Sequence, residues 1–343
     1  MLHQRFMRAA LRAAQKGLGL TSPNPAVGAV LVRRGRIVGR GWHRRAGLPH
    51  AEVEAFQSLS DPELARGATL YVTLEPCSTT GRTPPCTEAI LRSGVRRVVI
   101  GALDPNPAHA GRAVGILEAS GIEVLCGVLQ EECAFLNRAF FHWITTGRPW
   151  VIAKAALSLD GRISRPPGET QWLSGATSRR DAHLLRRHVD AILVGANTLR
   201  MDNPRLTVRG PGGMSDGKVQ PWRVVLTRGG GALPAESHLF TDAFRDRTLV
   251  YSQQSLEAVL EDLGRRQVNS LLVEGGAEVL GAFVDARLVD EVCFYLTPLI
   301  CGGPALGVGG LGAGATDEGL VLLNPEYRRL GRDIRMSGLV KRD

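Results

Sequence analysis

Pro49-His50-Ala51-Glu52, followed after a strand-like Ala68-Thr69-Leu70-Tyr71-Val72-Thr73-Leu74 by Glu75-Pro76-Cys77 and then Pro84-Pro85-Cys86, is the stretch on which the fold of this chain turns. It holds one imidazole and two thiols, and no fourth Cys or His lies between Pro49 and Cys86. A structural zinc takes four protein ligands, whereas a catalytic zinc takes three and keeps one position open. His50, Cys77 and Cys86 therefore read as the ligands of a catalytic ion. Two thiolates cancel its charge, and the ion can acidify a water toward neutral pH. Glu52 is not needed as a ligand and is placed to move protons.

A His-x-Glu followed by Pro-Cys and a second Cys is the pattern of zinc-dependent deaminases, in which the Glu is the acid/base. The flanking sequence predicts a helix over 51–56 starting at His50, and another over 87–93 starting at Cys86 and stopped by Gly94. Both ligands then sit at helix N-termini, where the dipole and free N–H groups favour thiolate over thiol.

The chain has 343 residues, which points to about two domains, and its 44% hydrophobic content suits packed cores. No run of 18 apolar residues occurs, so no membrane span is expected. Met1-Leu2-His3-Gln4-Arg5 lacks the apolar core of a signal peptide. Six cysteines, two of them assigned to metal, do not suggest a disulfide framework. Cys126, Cys133, Cys293 and Cys301 read as small core residues, and a reducing cytoplasm is expected. The net charge is +9, from 42 basic and 33 acidic residues. The basic residues are scattered in pairs such as Arg33-Arg34 and Arg186-Arg187, and aromatics are only 5%. That pattern argues against a nucleic-acid strip and for small phosphorylated ligands.

In order, the sequence predicts a helix over 5–17, a hairpin of strands over 27–32 and 37–43, then helix 50–58, strand 68–74, helix 86–93, strand 97–102, helix 111–119 and strand 122–125. This is an α/β layered domain whose site forms beyond the strand C-termini, where Cys77 and Asp104 fall. An amphipathic helix over 130–142 leads to Thr145-Thr146-Gly147-Arg148-Pro149, where a domain boundary is placed, giving 1–146 and 147–343. The second half restarts with strand 151–157, then helix 177–188, strands 191–195, 223–226 and 248–251, helix 255–264, strand 270–274, helix 277–283, and a final strand pair over 290–297 and 334–340, again α/β.

Two glycine segments compete for a phosphate. Gly307-x-Gly309-Gly310-x-Gly312 matches the dinucleotide spacing, but neither follows a clear strand nor opens a helix, and reads as a flexible loop. Glu274-Gly275-Gly276 passes from strand to helix through two residues without side chains, and its helix N-terminus suits a phosphate better. Thr198, Asp202-Asn203-Pro204 and Arg209 follow an earlier strand as a second edge.

Ser22-Pro23-Asn24-Pro25-x-Val27-Gly28, His50-Ala51-Glu52, Glu75-Pro76-Cys77-Ser78 and Gly81-Arg82-Thr83-Pro84-Pro85-Cys86 resemble the deaminase half of the bifunctional riboflavin-biosynthesis deaminase/reductases. Lys154-x-x-x-Ser158-x-Asp160-Gly161, Gln171-Trp172-x-Ser174, Asp190-Ala191-Ile192-x-Val194-Gly195, Asp202-Asn203-Pro204-x-Leu206-Thr207-x-Arg209 and Glu274-Gly275-Gly276 resemble the reductase half. The resemblance implies a cytidine-deaminase-like domain followed by a dihydrofolate-reductase-like domain, using Zn2+ and NADPH. It implies hydrolytic loss of the 2-amino group from a 2,5-diamino-6-(5-phosphoribosylamino)pyrimidin-4(3H)-one, then reduction of the ribosyl group to ribityl. By the same resemblance Asn24, His43, Arg82, Asp104 and Asn106 line the deaminase pocket. Ala156, Trp172, Thr198, Asp202 and the run Gly276, Ala277, Glu278, Val279, Leu280, Gly281 and Ala282 touch NADPH. Lys154, Thr170, Arg186, Leu206, Arg209 and Glu274 touch the substrate.

The chain departs from the family at Thr79, where many members have His, and Arg82 stands where Lys is also common. The competing reading is a nucleic-acid base deaminase with an accessory domain. The basic charge favours it, while the nine-residue Cys77–Cys86 separation and the motifs beyond residue 150 oppose it. A homo-oligomer is compatible with the sequence.

Overall fold

The computed structural model describes residues 2–80, 84–106, 109–163, 172–209, 218–229 and 231–342, and elements and partners are counted over these. The chain divides into two compact units, Met1–Gly147 and Arg148–Asp343.

The first unit runs α1 (Leu2–Ala14), β1 (Gly28–Arg33), β2 (Arg36–Trp42), α2 (Ala51–Gln57), β3 (Thr69–Leu74), α3 (Cys86–Ser93), β4 (Arg97–Ala102), α4 (Arg112–Ala119), β5 (Glu123–Leu125), α5 (Gln130–Leu136) and α6 (Arg138–Thr146). Among the described residues the sheet order is β2-β1-β3-β4-β5. β1 pairs antiparallel with β2 and β3, and β3, β4 and β5 run parallel. Alternation along the strands feeds two cores, one on each face. Ala51, Ala55, Ile90 and Leu117 pack on one side, and Phe6, Met7, Ala10 and Cys133 on the other. Gly41 sets the distance of α2 from β2, because a Cβ there would stand 2.2 Å from the Ala51 carbonyl oxygen.

The helix expected over 130–142 is two helices. Asn137 interrupts it because its side chain is needed elsewhere: Oδ1 accepts from Ala26 N at 2.8 Å, and Nδ2 donates to Ala26 O at 3.0 Å. Asn137 is buried, so these bonds outweigh helix continuity.

The second unit runs β6 (Trp150–Leu157), α7 (Ala176–His188), β7 (Ala191–Gly195), α8 (Ala196–Asp202), β8 (Trp222–Thr227), α9 (His238–Thr241), β9 (Thr248–Ser252), α10 (Leu256–Arg265), β10 (Ser270–Val273), α11 (Ala277–Asp285), β11 (Glu291–Leu296), β12 (Leu322–Leu330) and β13 (Asp333–Val340). The sheet order is β12-β13-β11-β6-β10-β7-β8-β9 among the described residues. Strands β6 to β11 are parallel, and β12–β13 is an antiparallel margin. From β6 the chain moves outward through β7, β8 and β9, then returns to insert β10 between β6 and β7. That reversal opens a crevice beyond the C-terminal end of β10, the usual ligand position in such sheets.

Three expectations are corrected here. β12 was not expected, since Leu322-Leu323-Asn324-Pro325-Glu326-Tyr327-Arg328-Arg329-Leu330 carries little alternation, and as an edge strand it is mostly exposed. Cys133 and Cys293 are buried, but Cys126 and Cys301 are exposed and do not belong to a core. The Gly307–Gly312 segment is a loop, but a docked one. Gly309 N donates to Ala277 O at 3.0 Å, Leu311 N donates to Asp285 Oδ2 at 2.7 Å, and a Cβ at Gly281 would lie 2.2 Å from the Gly309 carbonyl carbon. Gly309 and Gly310 press against α11, whereas Gly307 packs on Leu157 and the Gly161 carbonyl. No helix among the described residues is long and apolar enough to cross a membrane.

Candidate active sites

In the first unit the expected ligands converge. His50 is the residue preceding α2, Cys86 is the first residue of α3, and Cys77 lies three residues past β3. Their donor atoms all lie within 4.8 Å of one another, with His50 Nδ1 3.2 Å from Cys86 Sγ and 3.5 Å from Cys77 Sγ. Tetrahedral zinc with ordinary bond lengths sets nitrogen and sulfur about 3.6 Å apart, so the three donors fit one ion with little movement. Cys86 N–H, at the start of α3, donates to Cys77 Sγ at 3.2 Å. Hydrogen bonding from Cys86, against the cost of burial, holds the Cys77 thiol well below its usual range. A thiol held in that direction is suited to bind zinc as thiolate.

Glu52 stands beside this cluster on the first turn of α2, 2% exposed, and its Oε2 has no hydrogen-bond partner. Burial first, then the charge of Cys77, push its carboxyl up to about 7. A buried carboxylate oxygen left unpaired is costly unless a ligand completes it.

Around the cluster, His43 Nδ1 lies 3.1 Å from Pro49 O and its Nε2 lies 3.1 Å from Asn24 Nδ2. The carbonyl can only accept and the amide nitrogen can only donate, which fixes a neutral imidazole protonated at Nδ1. Burial lowers the His43 pKa in the same direction. Asp104 and Asn106 follow β4, and Asn106 N donates to Asp104 Oδ1 at 2.9 Å. Arg82 lies outside the described residues.

Glu75 is a residue whose role sequence reasoning missed. It is 4% exposed, and its carboxylate accepts from Asp104 N at 3.2 Å, Gly111 N at 3.0 Å and Ala113 N at 3.1 Å. One side chain thus ties the end of β3 to the loop carrying Asp104 and to the start of α4. A carboxylate two residues before a thiol ligand was the available signal.

In the second unit a cavity of about 560 Å³ is lined by Lys154, Ala156, Trp172, His183, Arg186 and Arg209, among others. Lys154 and Ala156 share one face of β6. Arg179, His183 and Arg186 recur at helical spacing along α7. Arg186 donates from Nε and Nη2 to the two oxygens of Glu274, at 2.6 and 2.7 Å, and Lys154 Nζ lies 3.8 Å from Glu274. Burial alone would raise Glu274; Arg186 and then Lys154 overcome this and hold it near 2. Asp333, fully buried, accepts from Gly175 N at 2.7 Å and Ser178 Oγ at 2.6 Å, fixing the start of α7.

At the crevice, Thr198 Oγ1 accepts from Gly276 N at 2.8 Å. Gly195 and α11 meet so closely that a Cβ on Gly195 would lie 2.8 Å from Val279 Cγ2. Within the run 276–282, Gly276, Ala277 and Glu278 form the open first turn, whereas Leu280 is in the core and Gly281 faces Gly309. Ala282 is exposed and Val279 half-buried. The helix start beside a small-residue strand end suits a phosphate-bearing cofactor. Asp202, at the end of α8, is exposed; Leu206, with φ of +47°, sends its side chain into the core and could offer a ligand only backbone. Thr170 lies outside the described residues.

A three-ligand metal centre beside an unpaired buried acid is equipment for hydrolytic deamination; a cavity lined by Lys154, Arg186 and Arg209 is equipment for holding a phosphorylated substrate. Comparison with known proteins agrees on both. Residues 1–102 match the cytidine and deoxycytidylate deaminase zinc-binding region, and residues 149–326 match the RibD C-terminal domain. The riboflavin biosynthesis protein RibD of Aquifex aeolicus is 39% identical, with 97% of each chain covered. That of Escherichia coli K12 is 39% identical, covering 90% of this chain and 91% of its own. The structure of Acinetobacter baumannii RibD superposes with a TM-score of 0.90 at 35% identity, over 99% of each chain. A Thermotoga maritima structure, described as a diaminohydroxyphosphoribosylaminopyrimidine deaminase/5-amino-6-(5-phosphoribosylamino)uracil reductase, gives 0.87 at 36% identity, again over 99% of each. The chain belongs to the RibD family of bifunctional riboflavin-biosynthesis enzymes. It is a deaminase and a reductase, with a cytidine-deaminase-like fold followed by a dihydrofolate-reductase-like one.

Proposed function

We propose that residues 1–146 deaminate 2,5-diamino-6-(5-phosphoribosylamino)pyrimidin-4(3H)-one and that residues 147–343 reduce the product to 5-amino-6-(5-phosphoribitylamino)uracil. His50, Cys77 and Cys86 hold zinc, which when bound supplies Lewis acidity and lowers the pKa of water. Glu52 Oε2 takes the proton that the attacking water sheds and passes it to the departing amino nitrogen. Asn24 and His43 form one hydrogen-bonded pair at the pocket wall, and Asp104 and Asn106 form another. Together with Arg82 they orient the pyrimidine and its phosphate.

NADPH supplies the hydride for the second reaction. The first turn of α11 would hold its phosphates, and Thr198, Asp202, Ala156 and Trp172 would contribute the remaining contacts. Arg186, Arg209 and Lys154 receive the sugar phosphate, since guanidinium groups offer paired donors at constant charge. Glu274 holds Arg186 and Lys154 in place, and Thr170 and Leu206 complete the substrate contacts. We place the enzyme in the cytoplasm, acting on a small phosphorylated pyrimidine rather than nucleic acid or a membrane, and compatible with assembly as a homo-oligomer. The six free cysteines and scattered basic residues support this.

The observation that carries this reading is the partnerless Glu52 oxygen beside three converging ligands. Ammonia release and NADPH oxidation, measured on the phosphoribosyl pyrimidine with the full chain, test it. Both are expected; absence of either from zinc-replete protein overturns the corresponding half.

A further inference from the structure

His183 has no role in the reading above, yet it lines the same cavity as Lys154, Arg186 and Arg209. It lies three residues before Arg186 on α7, so the two side chains are neighbours on one helix face. Its Nδ1 is buried and has no hydrogen-bond partner among the described residues. No hydrogen bond to Nδ1 therefore fixes the protonation state of this imidazole, which is left to the charged groups and any anion around it.

Reductive opening of a ribosylamine has a fixed proton requirement. The C1′–O4′ bond breaks with its electron pair on O4′, which takes up one proton. A hydride from NADPH forms the new C1′–H bond, and NADPH becomes NADP+. One hydride and one proton are consumed, so the cavity needs a group that can give a proton near neutral pH. Arginine does not release one. His183 is the described lining residue whose side chain changes charge in that range.

We propose that His183 delivers the proton consumed when the ribosyl ring opens, and that it is charged by the arrival of the sugar phosphate. This rests on the assignment of the second unit as the ribosyl reductase. The groups facing His183 come from three elements besides its own: Arg186 on α7, Arg209 beyond α8, Lys154 on β6 and Glu274 after β10. Burial, then Arg186 and Arg209, and more weakly Lys154, lower its pKa, with Glu274 opposing them. These cationic neighbours and burial therefore favour neutral imidazole. A phosphate between Arg186 and Arg209 offsets their repulsion, raises the pKa, and draws in a proton. Substrate binding would thus load the acid in the same step that positions the ring.

Calorimetric titration of the full chain with ribose 5-phosphate, in two buffers of different ionisation heat between pH 6 and 8, measures proton uptake directly. Wild type takes up protons on binding; His183→Gln still binds and does not. In steady-state reduction, His183→Gln lowers kcat about 100-fold or more with KM little changed, and loses the limb of the pH profile in which rate falls as pH rises. Retained binding of ribose 5-phosphate by His183→Gln, with an unchanged urea midpoint, shows that its second unit is folded. Proton uptake equal to wild type, or an unaltered kcat and pH profile, overturns the proposal. A wild type that does not oxidise NADPH with the phosphoribosyl pyrimidine would instead sink the assignment beneath it, so the two failures are distinguishable.

Discussion

Arg186 and Glu274 face each other through both guanidinium branches and both carboxylate oxygens, at 2.6 and 2.7 Å, although 88 residues separate them in sequence. The pair joins the last turn of α7 to the end of β10, and side-chain exposures of 14% and 7% put it largely out of water. Removing one partner leaves the other charge buried and uncompensated. Arg186→Ala is expected to destabilise the second unit by about 3–5 kcal/mol, whereas Arg186→Lys retains charge but loses the paired geometry. Urea unfolding of both variants measures the difference, and reduction by Arg186→Lys should show a raised KM for the phosphorylated substrate.

The same pair predicts a pH dependence. Glu274 has an ordinary carboxyl value of 4.5 and a folded value near 2. A depressed folded value means that its contribution is fully present above 4.5 and is lost as pH falls toward 2. Urea midpoints followed by Trp fluorescence should therefore drop more steeply between pH 5 and pH 3 in wild type than in Glu274→Gln, which starts lower and has no carboxyl to titrate there.

Glu52→Gln should keep its zinc, because Glu52 is not among the three converging donors. Deamination should fall by about 100-fold or more, and reduction of deaminated substrate should continue. Zinc content, ammonia release and NADPH oxidation on one preparation decide this. Substantial ammonia release by the variant would remove the residue from its role.

Glu75→Ala deprives the Asp104, Gly111 and Ala113 amides of their acceptor. Each lost bond costs on the order of 1 kcal/mol, and the loop carrying Asp104 loses its anchor. A raised KM for deamination, a lower melting temperature of the first unit and unchanged reduction are the expected results. A variant with wild-type KM would show that Asp104 is held by other means.

The first site was legible because zinc imposes donor type and helix starts impose position, and both leave marks at fixed spacing around His50, Cys77 and Cys86. Parallel strands such as β4 and β10 were legible as short apolar runs. What escaped depends on partners distant in sequence. Asn137 breaks a helix for the sake of Ala26, Glu75 serves amides up to 38 residues away, and Asp333 fixes a helix start 158 residues before it. No local pattern announces such pairings. β12 escaped for a different reason: an edge strand exposed on both sides needs no alternation.

The Gly281–Gly309 contact has a consequence for how such chains are scanned. A spacing that a pattern search would tag as a nucleotide fingerprint is here the trace of two main chains pressed together, with no room for even a methyl group at Gly281. Variation at these glycines should be tolerated according to steric room and not according to ligand chemistry, so a methyl-bearing residue at Gly281 ought to loosen the loop without touching a phosphate.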